Sequence, residues 1–277
     1  MTIRDAVTTL AVQLRNLYDE GEALNIANMV LEHVTGFTRS EMIVDKNKTL
    51  DASQQEQLRK YAEDLLKHKP VQYVLGEAWF MNMRLRVTED VLIPRPETEE
   101  LVDLVIKNVA KESRILDVGT GSGCIAVALK KYLPGSEVYA VDISEKALMV
   151  ASQNARDNNV EIQFSQMNIL DETQWSKLPA FDVVVSNPPY IPVTEKSLMA
   201  DNVVNFEPHT ALFVPDTDPL IFYKTIVNFA ESRSHPCKLF FEIHESMGDV
   251  LKARFNGYDI EIRRDLPGKE RMMVVRM

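Results

Sequence analysis

Asn187-Pro188-Pro189-Tyr190 closes the apolar run Phe181-Asp182-Val183-Val184-Val185-Ser186 and gathers groups suited to chemistry on an amine nitrogen. Asn187 offers a carbonyl oxygen that accepts a hydrogen bond from an N–H. Pro188 and Pro189 have no N–H and a fixed φ, so the loop is stiff and its carbonyls are acceptors. Tyr190 adds a flat face on which a planar group stacks. Together they suit a planar –NH2, either an amide or a nucleobase amine. The apolar run reads as a buried strand, and the carboxyl ends of such strands are where open α/β sheets bind ligands.

A second constellation lies upstream. Ile115-Leu116-Asp117-Val118 runs as a strand into Gly119-Thr120-Gly121-Ser122-Gly123, a turn that opens a helix. Glycines there let the backbone approach a ligand closely; a tight turn with no ligand is the plainer alternative. A dinucleotide site wants G-x-G-x-x-G/A. Here the glycines fall at 119, 121 and 123, and Cys124 stands where the third belongs, a poor fit to a nicotinamide dinucleotide. Nineteen residues after Gly123 another strand ends in Val141-Asp142. An acid there can accept from ribose hydroxyls; a helix-capping acid near Ser144 is the alternative. A nucleoside ligand without a pyrophosphate, beside an amine-holding loop, points to S-adenosylmethionine as methyl donor and S-adenosylhomocysteine as product.

These residues need a frame. After a hairpin-like stretch over 80–87 with Asn82 at its turn, strand-like and helical segments alternate, the pattern of a parallel α/β sheet. Strands are expected over 114–118, 137–141, 161–164, 181–185 and 238–243. Segments 259–262 and 272–276, with Gly268 between them, suggest an antiparallel pair at one edge. Ile93-Pro94-Arg95-Pro96-Glu97-Thr98-Glu99 leads into a helix carrying Leu101, Leu104 and Val105. The first part of the chain reads differently. Ile3, Val7, Leu10, Leu14 and Leu17 recur at steps of four and three, one helix face. Ala23, Ile26, Ala27, Val30, Leu31 and Val34 mark a second helix, ended by Gly36. A third starts near Ser53 with Glu56 completing a capping box, and Pro70 closes it. The expected division is a helical domain over 1–70, a hairpin linker over 71–95 and a catalytic domain over 96–277.

At 277 residues, a large domain plus a small one fits the usual roughly 100–200 residues per domain. With 45% hydrophobic and 26% charged residues, a full core is expected and disorder is not. No stretch approaches the roughly 18 apolar residues needed to span a bilayer. Residues 1–5 carry an acid and lack an apolar h-region, so no signal peptide is expected. Cys124 and Cys237 lie far apart with no ligand spacing, which argues against a metal or disulfide scaffold and for a reduced, cytoplasmic setting. The net charge of -10 disfavours a phosphate backbone as main partner. Residues 1–75 hold 11 acids against 9 bases, so the helical part is no basic clamp for nucleic acid.

The glycine turn over 119–123, Asp142 and Asn187-Pro188-Pro189-Tyr190, in this order and spacing, resemble the class I methyltransferases that modify planar nitrogen. Three further segments narrow the likeness: Val71-Gln72-Tyr73-Val74-Leu75-Gly76, then Leu92-Ile93-Pro94-Arg95-Pro96-Glu97-Thr98-Glu99, then Phe206-Glu207-Pro208-His209-Thr210-Ala211-Leu212. With them nearly the whole chain is similar to the release factor glutamine methyltransferases. The resemblance implies a Rossmann-like, mostly parallel sheet with an antiparallel edge, preceded by a small all-helical domain that recognises the substrate. It implies methyl transfer from S-adenosylmethionine to the side-chain amide nitrogen of the glutamine in the Gly-Gly-Gln motif of class 1 peptide chain release factors. It also implies a protein substrate, no direct nucleic-acid or membrane partner, and a monomer. One family position departs: the segment after the third strand usually carries an acid and then an adenine-contacting residue, and here reads Asn168-Ile169.

The cofactor-binding set is therefore Gly119, Thr120, Gly121, Ser122, Gly123, Asp142, Asn168, Ile169 and Asn187. Asn187, Pro188, Pro189 and Tyr190 bind substrate, with Asn187, Pro188 and Tyr190 catalytic. An amide nitrogen is a weak nucleophile because its lone pair is delocalised. Acceptors at Asn187 Oδ1 and the Pro188 carbonyl would each take one substrate N–H and aim the lone pair at the sulfonium methyl, with Tyr190 against the planar amide. Arg95 and Thr98 are expected to help close the cofactor pocket, while Asp182 is expected to be structural. His209, a lone histidine, is expected to be structural or at the surface. His244 follows a strand and could contact substrate, and it lacks the second spaced ligand a metal needs; the Phe206-Glu207-Pro208 run either shapes a substrate channel or anchors a loop. Two rivals stand beside this reading. A nucleic-acid exocyclic-amine methyltransferase of the adenine N6 type would require a basic groove. A catalytically idle binding module would have no use for the amine clamp.

Overall fold

A computed structural model describes residues Met1–Met277. In chain order it forms α1 (Ile3–Leu14), α2 (Glu20–Thr35), α3 (Arg39–Val44), α4 (Ala52–Leu65), α5 (Val71–Leu75), β1 (Glu77–Phe80), β2 (Met83–Arg86), α6 (Pro96–Asn108), β3 (Arg114–Val118), α7 (Cys124–Tyr132), β4 (Glu137–Asp142), α8 (Glu145–Asp157), β5 (Gln163–Gln166) and β6 (Val183–Ser186). Then follow β7 (Ile191–Pro192), α9 (Asp201–Phe206), α10 (His209–Leu212), β8 (Phe213–Val214), α11 (Ile221–Ser232), β9 (Lys238–Glu242), α12 (Gly248–Arg254), β10 (Asp259–Arg264) and β11 (Glu270–Arg276). The chain divides into two compact units, Met1–Glu77 with Ala200–Phe206, and Ala78–Met199 with Glu207–Met277.

The first unit is helical because its apolar residues recur at helical spacing. Leu10 and Leu14 of α1, Ala27, Val30 and Leu31 of α2, and Leu65 of α4 are all buried in one cluster. Gly36 ends α2 in the left-handed region at φ 70°, as the sequence predicts. The start of α4 differs from expectation. Asp51, not Ser53, is the N-cap: Asp51 Oδ1 accepts the Gln54 N–H at 2.8 Å and Gln54 Oε1 accepts the Asp51 N–H at 3.1 Å. Glu56 instead pairs with Arg59 on the exposed face. Pro70 does not close α4 either; Leu66 caps it, and Pro70 opens α5, where a missing N–H costs nothing. The short helices α3 and α5, with 6 and 5 residues, carry too little periodicity to be read from sequence.

In the second unit, β1 and β2 form a hairpin whose turn residues Met81 and Asn82 both take positive φ, 49° and 58°. That backbone matches the right-handed twist of the strands. The main sheet has seven strands in the order β10-β11-β9-β6-β3-β4-β5. From β9 to β5 neighbours run parallel; β11 is antiparallel to β9 and to β10, forming the expected antiparallel edge. Side chains alternate between the two faces. Ile115, Val183, Val185, Phe240 and Val274 point into one core cluster, and Leu116, Val118, Val184, Leu239, Phe241 and Val275 into the other. Helices cover both faces, so the central strands read as unbroken apolar runs rather than alternating ones. No helix is long and apolar enough to cross a membrane.

Candidate active site

After β3 the chain builds β4 and β5 on one side, then returns to place β6 on the other. This reversal leaves a crevice at the carboxyl ends of the strands, the usual ligand position in open α/β sheets. A cavity of about 330 Å³ opens there, within the range of small-molecule sites. Of the residues expected from sequence, Gly119, Gly121, Asp142, Asn168, Ile169, Asn187, Pro188 and Pro189 line it. Thr120, Ser122, Gly123 and Tyr190 do not.

The glycine turn is held from outside itself. Gly119 and Thr120 donate their N–H groups to the Val141 carbonyl at 2.9 and 3.1 Å, and Gly121 donates to Asp142 Oδ2 at 2.8 Å. Asp142 Oδ1 accepts the Ser144 N–H at 2.9 Å. Each carboxylate oxygen keeps a lone pair for a further donor. Burial pushes the Asp142 carboxyl above its ordinary range, so a hydroxyl donor arriving there would relieve a partly desolvated charge. Thr120 turns inward, and its Oγ1 donates to Asp117 Oδ2 at 2.6 Å. Ser122 is buried with its carbonyl accepting from Asn154 Nδ2 at 2.8 Å. Gly123, at φ 80°, sits against α8, where an added Cβ would lie 2.9 Å from that of Ala151. These three residues shape the turn rather than the cavity wall.

Asn168 lines the cavity, and its Oδ1 accepts the Leu170 N–H at 3.0 Å, which fixes the turn after β5. Leu92 and Pro208, from the segments quoted for the resemblance, also line the cavity, as do Ile143, Phe213 and Phe222, which were not singled out from sequence. These last three are apolar residues on a loop, a short strand and a helix with no shared spacing, so only the fold reveals them.

The amine-facing side is built from strand ends and one helix start. β6 and β9 are parallel neighbours with Ser186 opposite Phe241, so Asn187 follows one strand end while Glu242 ends the other. α6 brings Thr98, two residues into the helix, down between them. Asn187 Nδ2 donates to Thr98 Oγ1 at 3.2 Å, and Thr98 Oγ1 donates to Glu242 Oε2 at 2.6 Å. Asn187 Oδ1 is thereby left as the acceptor on offer. Glu242 was not anticipated from sequence; the available signal was an acid ending the apolar run Leu239-Phe240-Phe241. Arg95 and Thr98, expected to help close the cofactor pocket, do not themselves line the cavity. Thr98 is spent on Asn187 and Glu242, and the Arg95 guanidinium pairs with both Glu207 oxygens at 2.7 Å. Glu207 is thus the loop anchor, and Pro208 beside it is the residue that reaches the cavity. Tyr190 packs partly against the core beneath the loop, with its ring 6.0 Å from that of His244. Asp182, at the other end of β6, accepts the Arg114 N–H at 2.7 Å and meets His235 at 3.0 Å, a structural role.

The donor set suits S-adenosylmethionine. An added Cβ at Gly119 or Gly121 would meet nothing within 4 Å, so the backbone there is open to close approach. The cavity wall holds Asp90 and Asp142 and no Lys or Arg. A phosphate ligand would find no counter-charge, whereas a nucleoside carrying a sulfonium cation finds carboxylates and an apolar bed.

Two family models match the chain, the PrmC N-terminal domain over residues 5–76 and the Methyltransferase small domain over residues 97–205. The release factor glutamine methyltransferase of Flavobacterium psychrophilum is 39% identical over 99% of this chain and 99% of its own length. That of Bacteroides thetaiotaomicron is 39% identical over 94% of this chain and 95% of its own. A solved methyltransferase from Pyrococcus furiosus aligns with a TM-score of 0.51 at 16% identity, covering 78% of this chain and 97% of that one. That likeness shows the fold alone.

Proposed function

Because this chain belongs to the release factor glutamine methyltransferase family, we propose that it methylates the side-chain amide nitrogen of the Gly-Gly-Gln glutamine in class 1 peptide chain release factors. The observation that carries this reading is the orientation of Asn187, whose amide nitrogen is committed to Thr98 and whose oxygen is left to accept a substrate N–H. Asn187 Oδ1 and the Pro188 carbonyl each take one hydrogen of the substrate –NH2. Two fixed acceptors hold the nitrogen in one orientation and favour its pyramidalisation, so the gain is positioning and oriented dipoles. No strong base is required, since the proton becomes acidic only once the new bond forms. Tyr190 braces the loop from below, and its open edge is assigned to the plane of the substrate amide.

S-adenosylmethionine, held by Gly119, Gly121, Asp142, Asn168 and Ile169, supplies the electrophilic methyl group. Asp142 accepts from ribose hydroxyls, while Ile169 and Asn168 receive the adenine. The helical segment over 1–70 is assigned to recognition of the release factor, 71–95 to a connector and 96–277 to methyl transfer. The chain is assigned as a monomer, and two unpaired thiols, Cys124 and Cys237, suit a reduced cytoplasm.

The test offers the enzyme and labelled methyl donor to purified release factor, DNA and RNA side by side. Label on the release factor, lost when its Gly-Gly-Gln glutamine is replaced, is the expected result. Label on nucleic acid with the release factor unlabelled overturns it.

A further inference from the structure

We propose that Thr98 and Glu242 form a hydrogen-bond relay that dictates which end of the Asn187 amide faces the substrate, making both of them positioning residues of the methyl transfer. The inference rests on the reading of Asn187 as an acceptor for the substrate N–H. Thr98 and Glu242 are each 2% exposed, so water does not compete for their bonds. An ionised carboxylate only accepts, and a hydroxyl has one hydrogen. Glu242 Oε2, 2.6 Å from Thr98 Oγ1, therefore takes that hydrogen, leaving Thr98 only lone pairs to offer. Asn187, 3.2 Å away, must then turn its –NH2 toward Thr98 and its oxygen away from it. The direction follows from proton counting along the chain, independently of which amide end is labelled nitrogen.

Protonation reverses the relay. A neutral Glu242 can donate to Thr98 Oγ1, which frees the threonine hydrogen for Asn187 Oδ1. The amide then turns its –NH2 to the substrate, and a substrate N–H meets a donor. Burial pushes Glu242 up to about 7, so this exchange falls in the neutral range. The charged neighbours facing it are Arg271 on β11, Arg95 at the head of α6, which favour the carboxylate, and Glu97 beside Thr98, which opposes it. Tyr190 and Tyr223 pack alongside; Tyr223 Oη donates to the Glu242 backbone carbonyl at 3.0 Å, leaving the carboxylate to Thr98.

The test measures kcat, KM and their pH dependence for release-factor methylation in wild type, Thr98→Val, Thr98→Ser, Glu242→Gln and Asn187→Ala. Affinity for S-adenosylhomocysteine and a circular dichroism spectrum check the fold of each. Thr98→Val is expected to lower kcat by roughly 10- to 100-fold with KM little changed, as for a misaligned reacting group. Thr98→Ser, which keeps the hydroxyl, is expected to retain turnover. The wild-type kcat should rise with pH on a limb near neutrality, and Glu242→Gln should lose that limb as well as rate. A Thr98→Val enzyme with wild-type kcat, or a Glu242→Gln enzyme with an unchanged pH profile, overturns the relay. Should Glu242→Gln fail to fold, Thr98→Val and Thr98→Ser still decide. If Asn187→Ala is also unaffected, the amide clamp itself is wrong; if Asn187→Ala alone is inactive, only the relay is.

Discussion

Asp142 Oδ2 accepts the Gly121 N–H at 2.8 Å, so the acid that ends β4 holds the glycine turn that leaves β3. The same carboxylate also steadies the start of α8 through the Ser144 N–H. One side chain thus fixes two walls of the cavity before any ligand arrives.

Replacing Asp142 with Ala should weaken S-adenosylhomocysteine binding more than it slows transfer at saturating cofactor. Hydrogen bonds to a charged group are worth about 1.5–3 kcal/mol, or roughly 10- to 150-fold in affinity. Calorimetric titration measures it, and Asp142→Asn, which keeps one acceptor oxygen, should lose less. An unchanged dissociation constant for Asp142→Ala would refute the ribose assignment.

Asn187→Ala should do the opposite. Cofactor affinity should stay near wild type while kcat drops by roughly 10²-fold or more, the usual cost of removing one oriented polar group from a transition state. Steady-state methylation of the release factor alongside the binding titration separates the two effects.

The glycines of the turn should fail in different ways. Gly123→Ala forces a side chain into φ 80° and sets its Cβ 2.9 Å from that of Ala151, so a stability loss of about 2–4 kcal/mol is expected. Gly119→Ala bears the left-handed strain at φ 74° but meets nothing within 4 Å. Its loss should be smaller, about 1–2 kcal/mol, with weakened cofactor binding instead. Urea midpoints compared with cofactor titrations distinguish them.

Arg95→Ala would strand the Glu207 carboxylate, whose side chain is 1% exposed, without its counter-charge. Breaking a buried pair from one side costs about 3–5 kcal/mol; Arg95 is one-third exposed, so about 2–3 kcal/mol is expected. Arg95→Ala with Glu207→Gln should recover part of it, as a double-mutant cycle by chemical denaturation would register. Additive losses would show that the two side chains do not depend on each other.

Asp117 gives stability a pH signature. Fully buried, with Oδ1 lacking a partner, it is pushed from 3.8 to about 7, chiefly by desolvation. The folded chain then binds this proton more tightly than the unfolded chain. The contribution is complete below about pH 4 and is lost as pH rises through about 7, a span of roughly 4 kcal/mol at most. The stability of wild type relative to Asp117→Asn should therefore fall between pH 5 and pH 8. A flat difference in denaturation midpoints would mean that Asp117 is ionised throughout.

Much of the frame was legible because its signals are local. The strand over 114–118, the glycine turn and the terminal antiparallel pair declare themselves through apolar runs bounded by turn residues. The helix over 20–35 likewise shows its buried face and its glycine stop. The capping of α4 was misread because Asp51 and Ser53 are both good caps and their sequence patterns overlap; the geometry of Gln54 decided between them. The short helices α3 and α5 escaped notice since one turn or so carries no period.

The site divides along the same line. The order of the motifs resembles that of methyltransferases; residue types alone determined that Asn187, Pro188 and Pro189 present acceptors and that the 119–123 turn can bring backbone to a ligand. These follow from side-chain chemistry and spacing, which do not depend on the rest of the molecule. Only the tertiary structure decided which end of Asn187 is left for the substrate. Thr98 lies 89 residues away and Glu242 lies 144 from Thr98, and they meet because β6 and β9 are parallel neighbours and α6 starts over their ends. A hydrogen bond between residues so distant in sequence leaves no local trace; it exists only once strand order has placed the donor beside its acceptor.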